Sequence, residues 1–176
     1  SQIESRAAAR AFLDWKPQVS ADHHGETASY FFPPSALPIN PNLPREAFDR
    51  WLDVFGRANA AAFDKQGWMY FVRDQFDVFY PGYWDSWPSL QGAIGMTYET
   101  EGGGDKGYRE RRRDGTEITL RESIAMHLTA SLATLQAASE NRADRLKAFR
   151  EFFVEAVKAG SEGDLRRFVV PAPADL

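Results

Sequence analysis

Apolar side chains recur with a helical period in four stretches of the chain, and this pattern predicts four helices. In the first, from Ile3 to Trp15, an apolar residue returns every fourth position among charged ones, and Lys16-Pro17 ends the pattern. Proline ends it because the residue before a proline disfavours helical geometry. The remaining predicted helices cover Arg45 to Gln66, Arg121 to Glu140, with Thr119 as its N-cap, and Arg142 to Lys158.

Short stretches between and after the helices have the composition of strands. Val19-Ser20-Ala21 predicts a strand that runs into a polar group, Asp22 to Glu26. The small or apolar run from Gly92 to Tyr98 is typical of a strand buried on both faces, and Glu99 follows it directly. Further extended segments are predicted from Thr116 to Leu120 and at residues 168–171.

Prolines and aromatic residues crowd the middle of the chain. Residues 30–44 hold five prolines, which predicts a long ordered loop or a lid without ladder or helix hydrogen bonds. The chain has 13 Phe, 6 Tyr and 5 Trp, and many of them lie between Tyr30 and Tyr98 in segments such as 81–88. Aromatic side chains in Pro- and Gly-rich loops favour the interpretation that they form the walls of a pocket.

Composition narrows the class of protein. The 176 residues include 21 Lys and Arg against 25 Asp and Glu, which gives a net charge of −4 and excludes the basic surface of a nucleic-acid binder. No apolar run reaches membrane-spanning length, and residues 1–14 lack the core of a signal peptide, so one soluble domain is predicted. Because the chain has no cysteine, a zinc ion would need histidine and carboxylate ligands.

The group from Asp22 to Glu26 contains two overlapping metal-binding patterns. On a strand, Asp22 and His24 share one face while His23 points to the other, so Asp22 could orient His24 as a metal ligand. The spacing of His23 and Glu26 could instead chelate zinc if these residues lie on a turn or a helix. The third interpretation is that the two histidines only make hydrogen bonds in a loop.

Glu99 is a second candidate for chemistry. A carboxylate that emerges from a buried strand loses solvent, which raises its pKa toward the range of a general base. The alternative is a solvated or ion-paired residue at a strand end. His127 lies in a predicted helix, where we expect a packed or exposed side chain without a catalytic role.

Several segments in order resemble the zinc carboxypeptidase family of the carboxypeptidase A type. They are similar to the C-terminal half of the catalytic domain in its larger bacterial members, and the match spans most of residues 10–140. The resemblance implies an α/β fold, in which part of a mixed, mostly parallel sheet carries helices on both faces. Residues 1–165 would then belong to the catalytic domain, and residues 166–176 would begin a linker to a following domain. The segments that carry the resemblance are 15–26, 30–34, 38–41, 79–88 and 92–99.

The resemblance also implies roles for individual residues. His24 matches the family's last zinc ligand, with His23 as the alternative, and Glu99 matches the general base that activates the zinc-bound water. Tyr80, or else Tyr83, matches a tyrosine that contacts the end of a peptide substrate. The proline and aromatic loops would line the specificity pocket.

The family's first zinc-binding motif and its substrate-binding arginines have no counterpart, because only 23 residues precede His24. We therefore expect a piece of a longer periplasmic or secreted metallopeptidase, inactive without the N-terminal half of its catalytic domain and its single zinc ion. A natural half-domain without activity is a further alternative. The other functions considered are a non-catalytic module that binds a peptide or glycan, and a zinc amidohydrolase acting on an acyl amino acid.

Overall fold

The computed structural model describes residues 2–101, 109–112, 115–165, 167 and 169. None of the helices in these residues is long and apolar enough to cross a membrane. Apart from residues 167 and 169, the predicted linker and the extended segment at 168–171 lie outside the described residues. The described elements are α1 (Ile3–Trp15), β1 (Val19–His24), β2 (Glu26–Phe31), β3 (Ala36–Ile39), α2 (Arg45–Asp64), β4 (Asp77–Val78), α3 (Ser86–Ser89), β5 (Ile94–Glu101), β6 (Arg109–Arg111), β7 (Glu117–Thr119), α4 (Leu120–Glu140) and α5 (Arg142–Glu162).

A mixed three-stranded sheet, with β5 between β1 and β2, forms the centre of the fold. β1 runs parallel to β5, from Val19 opposite Ile94 to His24 opposite Glu99, and β2 runs antiparallel. The prediction that β5 is buried on both faces is confirmed, since Met96 and Tyr98 on one face and Glu99 on the other are at most 1% exposed. The small residues of β5 suit this central position because neighbouring elements approach both of its faces.

Helices cover both faces of β5. On one face, the Thr97 hydroxyl donates to the carboxylate of Asp85 at 2.8 Å, at the start of α3. On the other face, Asn59 of α2 donates to the Tyr98 hydroxyl at 3.0 Å, and the same hydroxyl pairs with Thr134 of α4. The α/β class is therefore confirmed, with small mixed sheets and helices on both faces of the central strand.

The predicted helices are present with small changes at their ends. α1 matches its prediction, α2 ends at Asp64, α4 begins at Leu120 and α5 continues to Glu162. α2 and α4 pack on each other and on β5, and each Leu, Phe or Met side chain that is fully buried there contributes about 1.5–3 kcal/mol. Their buried apolar residues are Phe48, Trp51, Leu52, Phe55, Phe63, Met126, Ala130 and Ala137.

The prediction that residues 30–44 form a loop or lid without ladder bonds is wrong in part. β2 extends to Phe31, and β3 pairs in parallel with β4 through backbone bonds from Ala36 to Phe76 and from Asn40 to Val78. Pro38 has no N–H to donate between these two bonds, and the register shifts there. A short edge strand therefore forms around the proline.

The aromatic residues at positions 30–32 belong to the core rather than to a pocket wall, whereas Phe79, Tyr80 and Tyr83 are exposed. Tyr30, Phe31 and Phe32 are at most 5% exposed, and the Tyr30 and Phe32 rings pack against Phe63 of α2 at 4.6 and 5.3 Å. Consecutive aromatic residues can all be buried here because successive side chains of an extended segment point to opposite faces, and both faces are covered.

Candidate functional site

The structure brings together the two residues that the sequence singles out for chemistry. Because β1 and β5 are parallel neighbours, their carboxyl ends meet, and His24 lies directly opposite Glu99. The His24 Nδ1 and Glu99 Oε2 atoms are 3.7 Å apart. The two residues therefore form one site at the end of the central sheet.

Asp22 holds the other side of the His24 ring. Its Oδ2 atom lies 2.7 Å from His24 Nε2, and since a carboxylate only accepts, Nε2 carries the proton of this bond. When the ring is neutral, its lone pair is on Nδ1, the nitrogen nearer to Glu99. The prediction that Asp22 and His24 share one face of the strand is confirmed.

Glu99 is buried beside an apolar wall that the sequence did not indicate. Its side chain is 1% exposed, whereas that of His24 is 38% exposed, so solvent reaches the imidazole far more easily than the carboxylate. Phe31 lies opposite Glu99 on β2, and the Phe76 ring is 5.9 Å from Phe31 and 6.4 Å from His24. Glu99 is therefore not a solvated strand-end residue, whereas the ion-paired form of that alternative agrees with the distance to His24.

Burial of this carboxylate requires polar partners, because an unsatisfied buried charge is costly. The backbone N–H of Thr100 donates to Glu99 Oε1 at 3.1 Å, and Oε2 is the atom that faces His24. One carboxylate oxygen is thus held by the backbone, and the other is directed at the imidazole.

His23 lies on the opposite face of the sheet from Glu99. Its Nε2 atom is 2.9 Å from the Ser131 hydroxyl of α4, and its ring is 4.9 Å from the ring of His127. Burial lowers the pKa of His23. The side chain of Glu26, the partner in the alternative zinc motif, lies outside the described side chains.

His127 supports the site from behind, a role that sequence reasoning missed. Its Nε2 atom donates to the backbone carbonyl of His24 at 2.8 Å, and its Nδ1 atom accepts from the Tyr30 hydroxyl at 2.9 Å. Burial lowers the pKa of His127, and the nearby His23 and His24 lower it further. No motif surrounds this histidine in the sequence, so only the packing of α4 against β1 and β2 reveals its role.

Tyr80 and Tyr83 lie together on the surface rather than at the imidazole. Their rings are 5.3 Å apart, and they are 60% and 51% exposed. Asn40 fixes the start of this loop by donating to the Phe79 carbonyl at 2.7 Å. The ring contact that both tyrosines make is with each other.

The donors present fit one part of a zinc site. In the described part of the chain, no three His, Asp or Glu side chains come together in a group that could hold a metal ion. Catalytic zinc sites use three protein ligands, and a ligating histidine usually donates its second nitrogen to a carboxylate. His24 donates to Asp22 in the same way.

No protein-family model, curated protein or solved structure matches the chain.

Proposed function

We propose that His24 and Glu99 belong to the catalytic centre of a zinc-dependent peptidase of the carboxypeptidase type. In this proposal His24 is a metal ligand and Glu99 is the general base for peptide-bond hydrolysis. The observation that supports it is the pairing of His24 Nδ1 with the buried Glu99 Oε2 at 3.7 Å, on adjacent parallel strands. The resemblance of the surrounding segments to that family supports the same assignment.

The proposed roles follow from the position of each side chain. Asp22 keeps the proton of His24 on Nε2, so that Nδ1 can act as the ligand. A zinc ion held there would act as a Lewis acid and lower the pKa of water toward about 7. Glu99 would take a proton from the attacking water at Oε2 and pass it to the leaving amine. Phe31 and Phe76 would limit the access of bulk water.

The ligand count implies that other protein completes the centre. Since His24 provides one ligand of three, we propose that the others come from a segment outside the described residues, in a larger catalytic domain of the same fold family. Exposed apolar residues along one side of α4 support this, because such rows mark contact with further protein. They are Ile124, Leu128, Leu132 and Leu135, each 57–66% exposed.

The base assignment is tested by Glu99→Gln in the full-length protein. We expect peptide hydrolysis to fall by about 10²–10⁴, the usual contribution of a positioned base, while the circular dichroism spectrum stays unchanged. Glu117→Gln is the matched control, since Glu117 is an exposed strand residue paired with Arg109 at 3.3 Å. Wild-type turnover in a folded Glu99→Gln protein would remove the assignment.

The ligand assignment is tested by titrating the chain itself with zinc. We expect weak binding that His24→Ala abolishes and His23→Ala preserves, because only His24 faces Glu99. Tight zinc binding in an active 176-residue chain would contradict the proposal of a shared site. It would favour a site built from His23, Glu26 and His127.

The exposed aromatic loop supports a second candidate function, a module that binds a peptide or glycan without catalysis. Phe79, Tyr80 and Tyr83 are 49–60% exposed on one loop. In that case Tyr80→Ala would weaken binding of a peptide or glycan library, and Glu99→Gln would change nothing. A zinc amidohydrolase would instead be recognised by turnover of acyl amino acids in preference to peptides.

A further inference from the structure

A cavity of about 490 Å³ lies between α2, α5 and the turn that precedes β5. It contacts Gly92, Ala93 and Ile94, at the amino end of β5, whereas Glu99 lies near the carboxyl end. At about 3.3 Å per residue, the five positions from Ile94 to Glu99 span roughly 16 Å. The cavity is therefore separate from the His24 and Glu99 site.

Arg145 is a buried cation in the wall of this cavity. It is 5% exposed, its Nη2 atom donates to the Gly92 carbonyl at 3.0 Å, and its guanidinium lies 5.0 Å from the centre of the Trp51 ring. Among the described residues no Asp or Glu forms an ion pair with it. An arginine is rarely buried to this degree without an anionic partner.

Two buried donors in this wall have no acceptor within the described part of the chain. They are the Nε atom of Arg145 and the Nε1 atom of Trp51, a residue that is 2% exposed. Burial, and then the charge of Arg50, lowers the pKa of Arg145 to about 10. Because Arg145 also lines the cavity, an anionic ligand there would compensate its charge.

The rest of the wall restricts the chemistry of such a ligand. Leu43, Phe48 and Phe152 contribute apolar surface, and the volume lies within the range of small-molecule pockets. The planar fork of arginine suits a carboxylate. Glu151 and Glu155 also line the cavity, so a second negative charge would be repelled.

We propose that this cavity binds a small monocarboxylic acid with an apolar body, whose carboxylate pairs with the guanidinium of Arg145. The proposal is independent of the zinc-peptidase assignment, because it uses none of the same residues.

Calorimetric titration of the chain with octanoate, octanamide and inorganic phosphate tests the ligand class. We expect octanoate to bind at least tenfold more tightly than octanamide, which has the same shape without the charge, and phosphate to show no measurable binding. Equal affinity for acid and amide, tighter binding of phosphate, or no octanoate binding would each overturn the proposal. The last result is expected if a carboxylate of the chain itself already pairs with Arg145.

Variants test the position of the ligand. Arg145→Met should weaken octanoate binding at least tenfold, while Arg50→Met should leave it within twofold. Arg50 is the matched control because its guanidinium also lies over Trp51, at 5.4 Å, but is exposed and outside the cavity wall.

A second variant keeps the charge and fills the space. Ala148→Leu should also weaken octanoate binding at least tenfold, because Ala148 lines the cavity. If the thermal unfolding curve of Arg145→Met shows that this variant does not fold, Ala148→Leu still tests where the ligand binds. Wild-type octanoate affinity in folded Ala148→Leu would overturn the proposed location.

Discussion

At the scale of single residues, His127 shows how one side chain can fix the end of a strand. It connects α4 to β1 through the His24 carbonyl and to β2 through the Tyr30 hydroxyl. These two bonds define the neutral tautomer, with the proton on Nε2 and the lone pair on Nδ1. Burial opposes protonation of this ring, so the fold favours its neutral form.

We expect the imidazole of His127 to titrate below 6.5 in the folded chain, in NMR spectra recorded across a pH series. Because its pKa is lowered on folding, the unfolded state binds more protons, and the free energy of unfolding should decline as the pH falls below about 6.5. Tyr30→Phe should move the pKa of His127 upward, since the neutral ring loses a hydrogen bond.

Tyr83→Phe is the control for that experiment, because Tyr83 is an exposed tyrosine on the loop with Tyr80. It should leave the titration of His127 unchanged. If His127 titrated above 6.5 in the wild-type chain, the tautomer and the hydrogen bonds assigned to it would be wrong.

Gly95 is a second residue on which the packing depends. A Cβ atom at this position would lie 1.8 Å from the backbone oxygen of Asp85, so α3 could not approach β5 as it does. We expect Gly95→Ala to lower the free energy of unfolding by about 3 kcal/mol or more, measured by urea denaturation.

Gly160→Ala should have the opposite effect. Gly160 lies in α5, and beyond the backbone of its own helix no atom lies within 4 Å of the place that a Cβ would occupy. The substitution should therefore raise the free energy of unfolding by about 0.5–1 kcal/mol, because alanine has a better helix propensity than glycine. If Gly95→Ala and Gly160→Ala changed the free energy of unfolding equally, the close approach of α3 to β5 would not explain the loss of stability in Gly95→Ala.

The sequence alone predicted some of the site residues and missed others for a physical reason. Asp22, His24 and Glu99 were singled out as candidates because strand periodicity and strand ends are properties of local sequence. His127 and Arg145 were not singled out, because their contacts depend on residues that other elements provide, namely Tyr30 and Trp51. The distance between His24 and Glu99 likewise depends on the pairing of two remote strands.

At the scale of elements, the start of α4 is fixed by a capping box. The Thr119 hydroxyl accepts from the backbone N–H of Glu122 at 3.3 Å, and the Glu122 carboxylate accepts from the backbone N–H of Thr119 at 2.7 Å. These two bonds satisfy two N–H groups that would otherwise lack a helical partner. The hydrogen bonds from Thr119 lower the pKa of Glu122.

We expect Thr119→Ala to lower the free energy of unfolding by about 1 kcal/mol in urea at neutral pH, and Thr119→Ser to preserve it. The lowered pKa of Glu122 means that its ionised form makes these bonds. The difference in the free energy of unfolding between the wild-type chain and Thr119→Ala should therefore become smaller as the pH falls below about 4.5. Equal stability of the alanine and serine variants would show that the cap contributes nothing.

The helices were easier to predict than the strands. α1, α2, α4 and α5 each repeat an apolar face over three turns or more, so errors were confined to their ends. β3 has four residues with a proline among them, and it exists because β4 lies beside it. Such a strand has no local signature, and the proline content of its surroundings favoured a loop.

At the scale of the whole molecule, stability is distributed unevenly. β5 is enclosed by two strands and three helices, whereas in α5 only Arg145 is buried among residues whose burial is described. Phe153, Val154 and Val157 are 42–73% exposed. Regions with few buried contacts open at low free-energy cost.

We expect backbone amides of residues 150–162 to exchange hydrogen much faster than those of β5, in native-state exchange followed by NMR or mass spectrometry. The amides of α4 are the matched control, because α4 is a helix of equal length, 21 residues, with five buried positions. Equal protection in α4 and α5 would show that α5 is covered in solution.

The parallel pairing of β1 with β5 also has a consequence for the order in which the chain folds. His24 and Glu99 are adjacent in space but more than seventy positions apart along the chain, so their meeting requires closure of a long loop. Helices such as α4 form from local contacts and can appear earlier. During refolding, we therefore expect the helical signal to recover before the imidazole of His24 reaches its native environment, and that late step creates the site.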